Sequence, residues 1–113
     1  PIGGASALTI GSRWISAAVP IAKQRLGLPV IVDPSHAAGK RDWVESLTLA
    51  GVACGADGLL VETHPEPAVA LSDGPQAVEL AEFPALMEKA RRVAFALGRT
   101  IPSGTRLAAA AAC

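Results

Sequence analysis

The sequence has little cysteine, no net charge and no long apolar run, and each absence excludes a class of protein. The two cysteines among 113 residues, Cys54 and Cys113, have the spacing of neither a zinc knuckle nor a disulfide framework. Ten basic residues balance ten acidic ones, so no net field favours nucleic acid or an acidic membrane surface. We recognise no signal peptide and no apolar run of about 18 residues. We therefore expect a cytoplasmic protein without nucleic-acid or membrane partners.

The overall composition of the chain is typical of a globular domain. Half of the residues are apolar and 18% are charged, at a length close to that of a usual single domain. Apolar residues recur at helical spacing in three stretches, and the second helix is expected to bury Trp43, Val44 and Leu47. The helices that this spacing predicts run from close to Pro20 to Leu26, from about Arg41 to Ala53 and from about Ala81 to Leu97.

Two short apolar runs, Leu28 to Asp33 and Leu59 to Glu62, predict strands of the kind that is buried on both faces. Strands that alternate with helices indicate a parallel sheet with right-handed crossovers. Two such strands do not make a sheet that is stable alone. We therefore expect an α/β chain that is part of a larger structure, less than half of a (β/α)₈ barrel of about 250 residues.

Polar residues stand where these two strands end. His36 follows the first strand, Glu62 ends the second, and Asp73 lies in the loop beyond it. Adjacent parallel strands lie about 4.8 Å apart, so these side chains can reach one point. One imidazole and two carboxylates suit a divalent ion such as Mn²⁺, Fe²⁺, Co²⁺ or Zn²⁺. The alternative is structural: His36 caps the next helix, Glu62 pairs with a lysine or arginine, and Asp73 makes an Asx turn.

Three ordered motifs between about Ala17 and Gly98 carry a resemblance to a known family. They are Val30-Ile31-Val32-Asp33-Pro34-Ser35-His36, Gly58-Leu59-Leu60-Val61-Glu62-Thr63-His64-Pro65 and Leu71-Ser72-Asp73-Gly74-Pro75-Gln76. Together they closely resemble 3-deoxy-7-phosphoheptulonate synthase (DAHP synthase) of type I beta, which is related to 3-deoxy-octulosonate 8-phosphate synthase. The resemblance implies an α/β fold made of the last two strands and flanking helices of a (β/α)₈ TIM barrel, incomplete in this chain. Residues 15–98 would be this carboxyl-terminal part, 1–14 a divergent segment and 99–113 a disordered tail.

The same resemblance implies a function. The family is a transferase that condenses phosphoenolpyruvate with erythrose 4-phosphate, the first step of the shikimate route to aromatic amino acids. His36, Glu62 and Asp73 would be metal ligands, and the divalent ion would act as a Lewis acid. The family's fourth ligand, a cysteine of an early strand, has no counterpart here, so we expect the chain alone to be inactive. The resemblance also implies that the full-length enzyme is a homo-oligomer. The alternatives are a relative acting on arabinose 5-phosphate and a truncated chain with a structural or interaction role.

Further residues near the motifs are candidates for substrate binding. Lys40 and Arg41 could meet a substrate phosphate, although a basic pair at a helix start is more often solvated. His64 shares a strand face with Glu62 and could point into the same site, or could be a hydrogen-bonded structural histidine. Asp33 and Ser35 are expected to fix the loop and the orientation of the imidazole.

Overall fold

A computed structural model describes residues 17–102, and in this part of the chain helices cover one face of short parallel strands. The expected segment 1–14 and the tail from residue 103 lie outside the described residues. Two 3₁₀ turns, Pro67–Val69 and Gly74–Gln76, lie in the loop between the third and fourth strands. No helix within 17–102 is long and apolar enough to cross a membrane. The helices are α1 (Ala18–Leu26), α2 (Pro34–Ala38), α3 (Arg41–Ala53) and α4 (Phe83–Ala96), and the strands are β1 (Ile31–Val32), β2 (Gly58–Leu59), β3 (Thr63–His64) and β4 (Val78–Glu79).

The two predicted strands pair in parallel, as the sequence indicates. Val32 of β1 lies opposite Leu59 of β2, and the Leu60 N–H extends the ladder by donating to the Val32 carbonyl over 2.9 Å. Both strands are shorter than expected, because each pairs with a single neighbour within residues 17–102, and Glu62 falls between β2 and β3. The parallel pair of β3 and β4 was not predicted, since two residues are too few to show an alternating pattern.

The segment after β1 corrects the sequence analysis. A loop was expected at residues 37–39, but Pro34–Ala38 forms the short helix α2, which has Asp33 as its N-cap and Gly39 as its C-cap. Helix α3 is confirmed with the expected bounds. Helix α1 begins two residues before Pro20, because a proline is tolerated in a first turn, where its missing N–H would have no partner.

The prediction that Trp43 is buried is wrong. Its side chain is 57% exposed, whereas its neighbour Val44 is fully buried. The ring instead lies beneath the ammonium group of Lys40, which is 5.5 Å from its centroid. Helical spacing groups Trp43 with Leu47 and Ala50 on one side of the helix. The buried face is a different one, made of Val44, Thr48, Gly51 and Val52, and the pattern missed it because threonine and glycine do not register as apolar.

The core lies on one side of the β1–β2 pair. Val32 and Leu59 point toward the helices, whereas Ile31 and Leu60 point the other way and are 68% and 59% exposed. The strand face opposite the helices therefore carries large apolar side chains without a cover in the described part of the chain. The buried clusters on the helix side are Ala38, Val44, Val78 and Leu86; Val19, Val32 and Ala56; and Val52, Ala90 and Ala94.

Asp57 connects the amino-terminal ends of β1 and β2 through hydrogen bonds and ion pairs. Its carboxylate accepts the Val30 N–H over 2.9 Å and the Lys23 ammonium over 3.0 Å, and these two bonds hold its pKa below the ordinary value of 3.8. Arg99 lies 3.5 Å from the same carboxylate, and Ile101 packs against the α3–α4 cluster. The first residues of the expected tail are therefore part of the fold.

We predict that the 113-residue chain self-associates in solution. The exposed Ile31 and Leu60 face and the unpaired strand edges favour contact with a second copy, because apolar area and open backbone groups both gain from being covered. Light scattering and melting curves over a range of protein concentrations should show a concentration-dependent species. A sharp melt of a monomer at every concentration would contradict this prediction.

Candidate functional site

The carboxyl end of β1 presents His36 in a fixed orientation. The carboxylate of Asp33 accepts the His36 backbone N–H over 2.9 Å through Oδ1 and contacts His36 Nδ1 at 2.6 Å through Oδ2. Pro34 follows Asp33 at the first helical position, where its restricted φ suits the turn. One carboxylate thus orients both the backbone and the ring of His36, and the ring directs Nε2 away from Asp33.

Asp73 lies on the side to which Nε2 points. Its Oδ2 is 3.8 Å from His36 Nε2, although the two residues come from loops after different strands. The other oxygen, Oδ1, accepts a hydrogen bond of 2.9 Å from Nε2 of Gln76. The structure therefore brings together two of the three residues that the sequence predicts as metal ligands.

Glu62 lies at the same end of the strands, where its backbone is hydrogen-bonded to Ser35. The Ser35 side chain is fully buried, and its hydroxyl oxygen accepts the Glu62 backbone N–H over 2.8 Å. The Glu62 carbonyl in turn accepts the N–H of Val78 in β4 over 2.9 Å. Glu62 is thus held from both sides, next to the residue that precedes His36 in the chain.

The charges around His36 favour its protonated form. The hydrogen bond to Asp33 and the charge of that carboxylate raise the pKa of His36. Burial lowers this pKa, but by less than Asp33 raises it, and the charges of Asp73 and Glu62 raise it further. Burial acts to raise the pKa of Asp33, but its hydrogen bonds from His36 outweigh burial and lower it. A metal ion binds the neutral imidazole, so a cation at Nε2 of His36 would take the place of the Nε2 proton among these carboxylates.

The structural alternatives for these residues are not what the chain adopts. Lys40, not His36, is the N-cap of α3, and Asp73 makes no side-chain cap to the turn that follows it. Within residues 17–102 no lysine or arginine forms an ion pair with Glu62.

The donor set nevertheless fits a metal ion only in part. Imidazole and carboxylate are suitable donors for Mn²⁺, Fe²⁺, Co²⁺ or Zn²⁺, and His36 and Asp73 converge. In the described part of the chain, however, no group of three or more His, Cys, Asp and Glu side chains is close enough to hold an ion. A complete site would need Glu62 to move inward or a ligand from outside residues 17–102.

The predicted substrate-binding residues have partners within the chain. Arg41 forms an ion pair of 3.2 Å with Glu79, and Nδ1 of His64 accepts the Glu66 N–H over 2.9 Å. Lys40 and Arg41 nevertheless line the same open cavity as Asp73, with a volume of about 690 Å³. Their phosphate-binding role remains a prediction, and the hydrogen bond of His64 agrees with its structural alternative.

Two contacts at the site were missed by the sequence analysis. The bond from Glu62 to Ser35 joins residues 27 positions apart and leaves no local pattern. The bond from Gln76 to Asp73 spans three residues across a turn. This spacing was visible in the sequence and could have indicated the contact.

Comparison with known proteins identifies the family. Residues 15–96 match the model of the DAHP synthetase I family. The chain belongs to this family. The resemblance to DAHP synthase that the motifs indicate is therefore confirmed.

Individual relatives agree with the assignment to the DAHP synthetase I family. The chain is 48% identical over 81 residues to phospho-2-dehydro-3-deoxyheptonate aldolase of Thermotoga maritima, a match that covers 72% of this chain and 24% of that protein. It is 38% identical over 81 residues to 2-dehydro-3-deoxyphosphooctonate aldolase of Geobacter sulfurreducens, covering 62% of this chain and 30% of that protein. The chain thus spans only about a quarter to a third of the length of these relatives.

Solved structures of DAHP synthase have the same fold as the described part of the chain. A truncated 3-deoxy-D-arabino-heptulosonate 7-phosphate synthase of Thermotoga maritima superposes with a TM-score of 0.73 at 45% identity, covering 76% of this chain and 33% of that one. A second structure of DAHP synthase from the same organism also superposes with a TM-score of 0.73, and 25% of its chain is covered. The α/β arrangement of residues 17–102 is therefore that of part of a DAHP synthase.

We predict that Ser35→Ala lowers the free energy of unfolding by about 1–3 kcal/mol, because it leaves the Glu62 N–H without its buried acceptor. Urea unfolding at one protein concentration measures the loss. Ser72→Ala is the matched control, since Ser72 is exposed in the next loop and its change should cost less than about 0.5 kcal/mol. Equal effects of the two substitutions would show that the Ser35 bond does not join the strands.

Proposed function

We propose that this chain supplies the last two strands of a TIM-barrel DAHP synthase, with the site at their carboxyl ends. The observation that carries the proposal is the convergence of His36 and Asp73 beyond β1, with Glu62 after the adjacent parallel strand. In TIM barrels the chemistry takes place at the carboxyl ends of the strands. The one-sided core supports the same placement, because the exposed Ile31 and Leu60 would face the interior of a closed barrel.

The proposed reaction is the condensation of phosphoenolpyruvate with erythrose 4-phosphate to 3-deoxy-D-arabino-heptulosonate 7-phosphate. His36, Glu62 and Asp73 would hold a divalent ion of Mn, Fe, Co or Zn, with a further ligand from the rest of the barrel. Such an ion supplies Lewis-acid polarisation of the aldehyde carbonyl. Asp33 keeps Nε2 of His36 directed toward Asp73, and Ser35 holds the backbone of Glu62 beside them.

The cavity next to Asp73 is the proposed entry for a phosphorylated substrate. Lys40 and Arg41 supply positive charge on its wall, but a phosphate would have to compete with Glu79 for Arg41. His64 is the weaker candidate for substrate binding, since its Nδ1 already accepts the Glu66 N–H. A homo-oligomer of the full-length enzyme remains part of the proposal.

A second candidate reaction uses arabinose 5-phosphate in place of erythrose 4-phosphate. It is a candidate because the chain is also similar to the phosphooctonate aldolase of Geobacter sulfurreducens. That identity, 38%, is lower than the 48% to the heptonate aldolase of Thermotoga maritima, so the first reaction is preferred. The tetrapeptide Asp33-Pro34-Ser35-His36 favours erythrose 4-phosphate, because it resembles the DAHP synthase motif. The same assay with both aldehydes distinguishes the two reactions.

We predict that the 113-residue chain has no condensation activity and that completing the barrel creates it. The completed barrel is a chimera in which residues 17–102 replace the matching stretch of the Thermotoga maritima DAHP synthase. Clamping two phosphorylated substrates needs groups that lie outside this chain, and such electrostatic contacts supply several kcal/mol of transition-state stabilisation. The assay follows consumption of phosphoenolpyruvate that depends on erythrose 4-phosphate and Mn²⁺.

His36→Ala in the completed barrel is the negative control, and its folding is checked by circular dichroism. Activity of the 113-residue chain alone would refute the prediction. A folded chimera that is inactive with erythrose 4-phosphate would refute the proposed function, and one that prefers arabinose 5-phosphate would favour the second reaction.

A further inference from the structure

Asp73 has a left-handed backbone conformation, which is uncommon for residues other than glycine. Its φ of 54° and ψ of 18° lie in the left-handed region, and it is the only residue other than glycine with positive φ within residues 17–102. Such a conformation costs about 1 kcal/mol or more and persists only where the surroundings enforce it. The conformation directs the Asp73 side chain back toward β1, where Oδ2 faces Nε2 of His36.

The loop around Asp73 is tightly packed and leaves little freedom to the backbone. A Cβ atom at Gly74 would lie 2.5 Å from the carbonyl oxygen of Pro67, so the two 3₁₀ turns touch at a position that only glycine can occupy. The Asp73 carbonyl accepts the Ala77 N–H over 3.0 Å and closes the second turn. These contacts fix the Cα of Asp73 but leave the rotation of its carboxylate open.

The side chain of Gln76 restricts that rotation. Its Nε2 donates to Oδ1 of Asp73 over 2.9 Å, and a donor on one oxygen fixes the plane of the carboxylate. The amide is partly buried, and it belongs to the same turn as Asp73. The oxygen that Gln76 does not engage is the one that faces His36.

We propose that Gln76 is a positioning residue, which aims Oδ2 of Asp73 at the cation that His36 and Asp73 share. The inference rests on the proposed function, because it assumes that Asp73 is a metal ligand. Gln76 does not touch the ion. It acts by removing rotational freedom from Asp73 before the ion arrives, and outer contacts of this kind typically change metal affinity by 10- to 100-fold.

The test compares Mn²⁺ binding by the completed barrel with that of its variants in residues 17–102, using electron paramagnetic resonance to count free Mn²⁺. Gln76→Leu keeps the side-chain volume and removes the donor. We expect it to weaken Mn²⁺ binding about 10-fold and to leave the thermal melt without metal unchanged. Gln24→Leu is the matched control, since Gln24 is exposed on α1 and its change should alter neither quantity.

The double variant Asp73→Ala with Gln76→Leu separates positioning from a general effect on the fold. If Gln76 acts through Asp73, the double variant should bind Mn²⁺ no more weakly than Asp73→Ala alone. If Asp73→Ala weakens binding but Gln76→Leu does not, the inference is wrong and the metal role of Asp73 stands. If Asp73→Ala leaves binding unchanged, or the unmodified completed barrel does not bind Mn²⁺, the metal role of Asp73 is wrong and the inference about Gln76 is wrong with it.

Discussion

The hydrogen bond between the Glu62 N–H and the Ser35 hydroxyl is the contact on which the arrangement of the site depends. It joins the segments that follow two parallel strands at a point where the Ser35 side chain is fully buried and Glu62 is half-buried. A buried N–H without an acceptor is costly, so the bond fixes how the two chain segments lie relative to each other. Because Ser35 directly precedes His36, the bond also sets the position of the imidazole relative to Glu62. At the opposite ends of the strands, Asp57 holds the same segments together by accepting the Val30 N–H and pairing with Lys23, which leaves the carboxyl ends to the site.

Electrostatics at the site depend on a concentration of carboxylates around one imidazole. Asp33, Asp73 and Glu62 all raise the pKa of His36, and none of them is neutralised there by a lysine or arginine within residues 17–102. An excess of negative charge without a basic partner is the environment that a divalent cation would stabilise. The site is nevertheless incomplete in the described residues, where only His36 and Asp73 converge. This agrees with a chain that covers 24% of the length of its Thermotoga maritima relative.

Much of the fold follows from local patterns, and what was missed depends on distant contacts. The bounds of α3 and the parallel pairing of β1 with β2 were predicted because helical spacing and strand order are properties of the sequence itself. The short helix α2 was mistaken for a loop, although Asp33 and Pro34 are the residues that start a helix. Trp43 was placed in the core because the apolar spacing groups it with Leu47, whereas the buried face of α3 includes Thr48 and Gly51, which the apolar pattern does not show. At the site, the positions of His36 and Glu62 after predicted strands indicated that they are candidate ligands. The left-handed backbone of Asp73 was not predicted, because it depends on contacts between the two turns of the loop.

We propose that His36, Glu62 and Asp73 contribute to one metal site at the carboxyl ends of the strands. This can be tested by diffraction from crystals of the completed barrel grown with Mn²⁺, with data collected at the manganese absorption edge. We expect one anomalous peak in contact with Nε2 of His36, Oδ2 of Asp73 and the carboxylate of Glu62. A peak at another location, or crystals in which His36 and Asp73 contact only each other at saturating Mn²⁺, would contradict it.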